Sequence, residues 1–392
     1  MATTSGTDEL AEVDVLRTQR PAAAEPPDGP ARGFSPQAIA AITTLAVGLI
    51  LLVEVFLAPA APWGGVDNPG AFHPPRSRAE HLVAKMDGHT FAATAMDPTM
   101  AHAPDSYFGD RADAAYRSSR PVQGWVDLVA SAGGQRSLLA PAILVLTAVG
   151  LGAAVLSVAD LGRASGRRIR WLGLVAATPA GIAAVAYPGI CEPLAIALAC
   201  WGIAAWLRDR PWEAVALLTA AALTRETMVV VPLGLGLAHL IERRTPIGAI
   251  KLAVPAVAYG AWIVIVHARI GAWPSDYAQT GDLLAGFQAG FPHWHLAEWA
   301  AALLLVGSAA VVAVRGTTWM RAIAVLYVPL LAVANHQVWW VWLGFGRVAV
   351  LLPVFALIAL GTPIRSSAPA VGADPVDPSD QAEAVAAGSI PA

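Results

Sequence analysis

Charged side chains interrupt an otherwise apolar chain at a few places, and these side chains are the ones that could do chemistry. The first group includes the pairs Asp87-Gly88 and Asp97-Pro98 and the run Tyr116-Arg117-Ser118-Ser119-Arg120. Residues 122–132 follow with apolar side chains at helical spacing, which predicts a helix along the membrane surface. Carboxylates, which can exchange protons, and arginines, which can bind anions, are thus carried to the lipid boundary. The same composition also fits a solvated loop with scattered charges.

The second group, Thr224-Arg225-Glu226, lies in the middle of the apolar run 212–241. This run is too short for two full crossings of about 20 residues each, so it predicts two short helices that meet at the charged tripeptide. A charge at the centre of a membrane costs about 2.5–3.5 kcal/mol. We therefore expect Arg225 and Glu226 to face a cavity or protein partners. A purely structural ion pair that fixes two helices is the alternative.

The third position is Arg347, which follows the tryptophans at 339, 340 and 342. These tryptophans predict an outer aromatic belt, which places Arg347 at the depth of the lipid phosphates. Snorkelling of the side chain alone would also explain an arginine there. His293 and His295 alternate as two metal ligands can, but no carboxylate or cysteine completes a set nearby. The sequence predicts no metal site and no cofactor.

Composition shows what kind of chain carries these residues. Of its 392 residues 56% are hydrophobic and only 14% are charged. Soluble domains are nearer 45–50% apolar and about 25% charged. The mean hydropathy of +0.56 agrees with a chain whose solvent is largely lipid. The net charge of −3 and the absence of a long basic run argue against nucleic acid as a partner.

The apolar segments predict an all-α protein, a polytopic transmembrane helical bundle of about ten spans, two of which are short enough to be half-spans. The ten segments are 38–57, 138–161, 171–187, 190–207, 212–223, 227–241, 247–267, 296–314, 319–334 and 338–360.

Polar stretches flank and interrupt the apolar segments. Residues 1–37 and 361–392 predict disordered tails, and residues 38–360 form the transmembrane domain. A long first outer loop at 58–137, with short helices, and a second outer loop at 268–295 interrupt it. Loop 162–170 carries four arginines and loop 188–189 none, which predicts a multi-pass cell-membrane protein with both termini in the cytoplasm.

The order of the charged motifs resembles an actinobacterial-type, uncharacterised branch of the GT-C superfamily of membrane glycosyltransferases. In that branch the first outer loop runs Asp-Gly, a short helix, Asp-Pro, and then Tyr-Arg-x-x-Arg before an apolar helix. Asp87-Gly88, Asp97-Pro98 and Tyr116–Arg120 follow this order. Leu223-Thr224-Arg225-Glu226 is similar to its mid-chain Leu-Thr-Arg-Glu, and Gly346-Arg347 to the arginine that opens its last span.

The resemblance implies transfer of a sugar from a polyprenyl-phosphate donor to an outer-face hydroxyl of a cell-envelope glycan, lipid or protein. It implies a base, for which Asp87 is the first candidate and Asp97 the second, with Tyr116 in support. It also implies a clamp of arginines for the phosphate, in which Glu226 would orient Arg225. The clamp has four members, which are Arg117, Arg120, Arg225 and Arg347.

Two other functions fit the same residues. A transporter or flippase of an anionic lipid-linked substrate would use the arginines in a cavity and would need no base, and broken helices at Thr224–Glu226 and Asn335–Gln337 suit it. A non-catalytic membrane scaffold would leave the carboxylates scattered over the surface. We expect a transferase to bring Asp87 into one pocket with the arginines.

Overall fold

The structure, a computed structural model, describes residues 34–57, 71–72, 75–84, 87–102, 110–277 and 282–364. The predicted tails therefore lie almost wholly outside the described residues. The described part contains 17 α-helices: α1 Pro36–Leu57, α2 Arg78–Val83, α3 Gly88–Met96, α4 Arg111–Ser118, α5 Pro121–Ala130, α6 Arg136–Ala164, α7 Pro179–Ala186, α8 Glu192–Leu207, α9 Pro211–Thr224, α10 Val230–Arg243, α11 Pro246–Ile270, α12 Ala285–Gly290, α13 Leu296–Arg315, α14 Thr318–Ala332, α15 His336–Trp340, α16 Trp342–Val348 and α17 Leu351–Ala359.

Short 3₁₀ helices and one minimal sheet complete the secondary structure of the described residues. The 3₁₀ helices are Leu172–Val175, Glu226–Val229, Pro274–Tyr277 and Phe291–His293. The sheet pairs β1, Arg167–Arg168, with β2, Thr362–Pro363, in antiparallel register. The all-α class predicted from the sequence is confirmed.

Four helices, α1, α6, α11 and α13, are long and apolar enough to cross a bilayer. The pair α16 and α17 passes the same test together but is bent by 61°. Large apolar side chains such as Leu45, Leu49 and Phe56 on α1 are exposed, as side chains that face lipid are. The chain is therefore a membrane protein, and its described residues contain four or five candidate spans.

Ten full spans are not confirmed. Helices α8, α9, α10 and α14 have 14 to 16 residues. At 1.5 Å per residue they rise about 21–24 Å, less than the roughly 30 Å of a hydrocarbon core. The predicted segment 171–187 forms a 3₁₀ helix followed by the eight-residue α7. Hydropathy found the apolar segments, but it does not report where a helix breaks.

The helical unit Phe34–Ile364 has two ends that can be identified by their polar contacts. At one end Arg208 at the end of α8 pairs with Asp160 on α6, and the amide of Ile364 donates to the carbonyl of Gly166. At the other end Glu80 on α2 pairs with Arg136, the first residue of α6. We call this second end the site end, because the charged motifs of the outer loop lie there.

The chain turns at the site end between α9 and α10. Helix α9 ends at Thr224, Arg225 takes an extended conformation, and a 3₁₀ turn leads into α10. The predicted pair of short helices that meet at the charged tripeptide is thus present. Helix α5, predicted from residues 122–132, spans Pro121–Ala130. Pro121 lies in its first turn, where a backbone amide has no partner within the helix, so the missing N–H of proline costs no hydrogen bond.

One buried carboxyl lies on α5, outside the membrane-crossing helices. Asp127 is fully buried, Gln123 Nε2 donates to its Oδ1 at 2.9 Å, and its Oδ2 has no hydrogen-bond partner among the described residues. Desolvation raises the pKa of Asp127 to about 7, although the bond from Gln123 acts the other way. An aspartic acid in the unfolded chain has a pKa near 3.9. Between about pH 4 and pH 7 the folded protein therefore keeps a proton on Asp127 that the unfolded chain has released.

We expect stability to fall as the pH rises from about 4 to about 7, because the folded state binds the extra proton over that range. Asp127→Asn keeps the shape and removes the titration. The melting temperature of the purified protein, followed by tryptophan fluorescence between pH 5 and 8, should fall with pH in the wild type and much less in the variant. Parallel curves for the two proteins would contradict this explanation.

Candidate functional site

A pocket of about 430 Å³ opens at the site end. Its charged wall comes from the first outer loop, the α9–α10 turn and α16. Its hydroxyl-bearing wall comes from α11 and the 3₁₀ helix Pro274–Tyr277, and the remaining wall, from α14 to α16, is apolar. The lining residues are Asp87, Tyr116, Arg117, Ser119, Arg120, Arg225, Glu226, Thr227, Tyr259, Pro274, Ser275, Tyr277, Leu330, Ala334, Val338, Val341, Leu343, Gly344, Arg347 and Val348.

Asp87 lies immediately before α3 and makes the central contacts of the charged wall. Arg117 Nη1 donates to its Oδ1 at 2.8 Å, and Arg347 Nη2 donates to its Oδ2 at 2.6 Å. Arg120 Nη1 lies 3.9 Å from the same Oδ2. The structure thus brings together Asp87 and the three arginines that the sequence placed at the outer lipid boundary.

These arginines decide the protonation state of Asp87. Burial raises the pKa of the carboxyl, but the positive charges of Arg347, Arg117 and Arg120 outweigh burial and hold its pKa well below the ordinary value. Asp87 is therefore a carboxylate beside these arginines. It has no proton to lose and is able to accept one.

Gly88 lets the backbone of another loop reach Asp87. A side chain at Gly88 would collide with the carbonyls of Val83 and Pro188, and Gly189, with φ of +91°, packs against its Cα. The amide of Gly189 in turn donates to Thr147 Oγ1 at 3.0 Å. This glycine pair sets α3 directly on the loop that leads into α8, which carries Glu192.

Gly88→Ala is therefore expected to displace α3 from this loop, because a methyl group would overlap two backbone carbonyls that cannot rotate away. The melting temperature should drop by several degrees. Gly173→Ala, where a methyl group meets nothing within 4 Å, is the matched control and should leave the melting temperature unchanged. Equal melting temperatures for the two variants would show that the contact does not constrain α3.

Asp113, on the same helix as Arg117, orients the Arg117 side chain. The side chain of Asp110 caps α4 by accepting the amide of Asp113, and Asp113 Oδ1 accepts from Arg117 Nε at 2.8 Å. Residues four apart on a helix lie on one face, so this bond fixes the guanidinium as it reaches Asp87.

Glu192 is the residue that sequence reasoning missed. It opens α8, is fully buried, and its Oε1 lies 2.7 Å from Arg347 Nε and 3.2 Å from Arg225 Nη1. Glu192 thus links the α9–α10 turn to α16. The signal for it was a lone acidic residue at the start of an apolar segment, since such a residue must find a partner in the membrane.

Arg120 and Tyr116 form a stacked arrangement along the pocket. The guanidinium carbon of Arg120 lies 4.4 Å from the centre of the Tyr116 ring, within cation–π distance. Tyr116 stacks on Tyr277 with 5.0 Å between ring centres. Glu226 is close to two arginines, 3.3 Å from Arg120 Nε and 3.7 Å from Arg225 Nε.

Asp97 is the one predicted site residue that the structure does not bring to this pocket. It follows α3, and its carboxylate accepts the amides of Ala101 and His102 at 3.0 and 2.9 Å. Burial raises the pKa of Asp97, but these backbone bonds and His102 lower it below its ordinary value. Its contacts are those of a residue that closes a local turn.

The apolar wall gives the pocket an amphipathic character. Leu330 and Ala334 belong to or follow α14, while Val338, Val341 and Leu343 come from the segment around α15 and α16. Val341 is 46% exposed, so protein does not cover this part of the wall. A ligand that fills the pocket would meet charge on one side and hydrocarbon on the other.

Comparisons with known proteins give no assignment: no family model matches the chain, and no curated protein or solved structure is similar to it. Within the described residues, no group of three or more histidine, cysteine or acidic side chains could hold a metal ion.

Proposed function

We propose that this protein is a membrane glycosyltransferase that moves a sugar from a polyprenyl-phosphate donor to a hydroxyl of a cell-envelope acceptor at the site end. The observation that carries the proposal is the position of Asp87, a partly buried carboxylate held between Arg117 and Arg347 in a pocket lined by four arginines. A base and a cation cluster in one pocket are what such a transfer needs.

The two walls of the pocket support a lipid-linked donor. Guanidinium groups bind phosphate oxygens through their planar pairs of N–H donors. The apolar wall, in which Val341 is 46% exposed, suits the first isoprene units of the lipid. The short motifs around Asp87, Arg117, Arg225 and Arg347 resemble those of a GT-C branch, which favours the same donor class.

The proposed reaction is a substitution at the anomeric carbon of the sugar. The acceptor oxygen forms a bond to this carbon as the bond from the carbon to the phosphate oxygen breaks. The phosphate leaves with the electron pair as polyprenyl phosphate, and arginines stabilise its charge. The acceptor proton passes to Asp87, whose proton affinity rises when bound phosphate offsets the positive charge of its neighbours.

A transporter or flippase of an anionic lipid-linked substrate is the second candidate. The bend of 61° between α16 and α17, next to Arg347, favours it, because broken helices carry binding sites in many transporters. A transporter moves its substrate intact, whereas a transferase divides it into two products.

The experiment that tests the proposal supplies labelled polyprenyl-phosphate sugars to membranes with and without this protein. The proposal predicts that free polyprenyl phosphate and a sugar-bearing acceptor form in equal amounts, and only where the protein is present. Unchanged donor with every sugar tested, in membranes that contain folded protein, would contradict it.

The proposal includes a membrane orientation, with the site end outside and both termini in the cytoplasm, as the arginine-rich loops predict. Asp105 lies outside the described residues, in the loop that the sequence predicts to be outside. A single cysteine introduced as Asp105→Cys should then react with an impermeant maleimide added to intact cells. Glu213→Cys, at the first turn of α9, should react only after lysis. Native Cys191 and Cys200 are buried and give little background. The reverse labelling pattern would invert the orientation.

A further inference from the structure

The four arginines of the pocket differ in how fully their donors are used. Arg117 makes two bonds to carboxylates, Nε to Asp113 and Nη1 to Asp87, both at 2.8 Å. Arg347 likewise bonds Glu192 through Nε at 2.7 Å and Asp87 through Nη2 at 2.6 Å. These two guanidinium groups are engaged in holding carboxylates.

Arg120 and Arg225 are buried, and each has an N–H donor that makes no hydrogen bond among the described residues. Their exposed fractions are 2% and 6%. The donor is Nε in both, and it makes no hydrogen bond within the described residues although Glu226 lies 3.3 Å from Arg120 Nε and 3.7 Å from Arg225 Nε. Thr227, 5% exposed, has an Oγ1 that also lacks a partner there. All three side chains line the pocket. Buried donors without partners cost free energy, and a ligand that accepts from them recovers it.

Charge is also distributed unevenly across the pocket. Arg117 and Arg347 share three carboxylates, those of Asp87, Asp113 and Glu192. Glu226 is the acidic neighbour of both Arg120 and Arg225, and Glu192 gives Arg225 one further contact at 3.2 Å. The surplus of positive charge therefore lies on the Arg120–Arg225 side.

We propose that Arg120, Arg225 and Thr227 form the subsite for the phosphate group of the ligand, while Arg117 and Arg347 hold Asp87. The guanidinium carbon of Arg120 lies over the Tyr116 ring, so a phosphate would reach Arg120 from a side that Tyr116 does not contact. Arg120 Nη1 lies 3.9 Å from Asp87, which places a phosphate bound there next to the carboxylate. This subsite rests on the proposed function for its ligand class, a lipid phosphate monoester or diester.

The test measures binding of farnesyl monophosphate to the purified protein in detergent, without any sugar. Thr227→Val should raise Kd about tenfold, the equivalent of one lost hydrogen bond to a charged group. It should not lower the melting temperature, because the hydroxyl has no partner to lose. Arg120→Lys should raise Kd at least as much, since lysine lacks the planar fork.

Thr224→Val is the matched control. Its hydroxyl donates to the carbonyl of Ala220 at 2.7 Å and does not line the pocket, so Kd should stay unchanged. Arg117→Lys should raise Kd less than Arg120→Lys. Equal effects of Arg117→Lys and Arg120→Lys, an unchanged Kd in Thr227→Val, or no binding by the wild type would overturn the assignment.

Two further probes identify the source of the phosphate. Binding of farnesyl monophosphate without binding of inorganic phosphate or farnesol assigns the subsite to a lipid headgroup. Binding of inorganic phosphate that weakens in Thr227→Val assigns the same subsite to a free anion. Binding that depends on Arg120 in a protein with no transfer activity would leave the subsite standing and reject the transferase.

Discussion

Asp87→Asn is expected to lower sugar transfer by about 100-fold or more while the donor still binds. The amide keeps the shape of the carboxylate but accepts no proton, and general base catalysis contributes about 10²–10⁴-fold. Removing a negative charge from beside Arg117, Arg120 and Arg347 also leaves the pocket more positive. Donor affinity should therefore be equal to or higher than that of the wild type.

The measurement is a pair of assays on the same preparation, initial rates of transfer and equilibrium binding of the donor. Asp97→Asn is the comparator, because it removes an acid of the same loop that bonds Ala101 and His102 instead of the arginines. Turnover that persists in Asp87→Asn would exclude Asp87 as the base. A larger loss in Asp97→Asn than in Asp87→Asn would move the base to Asp97.

Glu192→Gln is expected to destabilise the fold by about 3–5 kcal/mol, the usual cost of removing one partner from a buried ion pair. Glu192 is fully buried and bridges Arg225 and Arg347. Without its charge, two buried guanidinium groups lose their shared carboxylate. The loss should appear as a lower free energy of unfolding in denaturant titrations followed by tryptophan fluorescence.

Glu213→Gln provides the control. Glu213 pairs with Arg210 at 3.4 Å, but its side chain is 51% exposed. Exposed pairs contribute less than about 1 kcal/mol, so this variant should unfold almost like the wild type. Similar small losses in both variants would mean that Glu192 does not hold the α9–α10 turn to α16.

Much of the charged wall could be anticipated from the sequence, and the reason is physical. Charged residues in a lipid-dissolved chain are costly, so we expected Arg225 and Glu226 to face protein or a cavity. The aromatic residues near 340 and the outer loop placed Arg347 and Asp87 at one depth. The structure places both residues in one pocket.

The partners of each side chain could not be predicted in the same way. Glu192 meets Arg347 across 155 positions of sequence, and nothing local in either segment encodes that contact. The resemblance made Asp97 the second candidate for the base, although an Asp-Pro pair after a helix also indicates a turn. Helix lengths were missed because proline-opened α7 and the 3₁₀ segments interrupt apolar runs that hydropathy counts as continuous.

The most direct test of the central claim uses the purified protein in liposomes, with labelled polyprenyl-phosphate sugar in the outer leaflet and a mixture of hydroxyl acceptors outside. The transferase account predicts that the label leaves the lipid and joins an acceptor on the same side, with one polyprenyl phosphate formed per sugar transferred. Intact labelled donor that crosses to the inner leaflet, with no product, would contradict the transferase and establish a transporter.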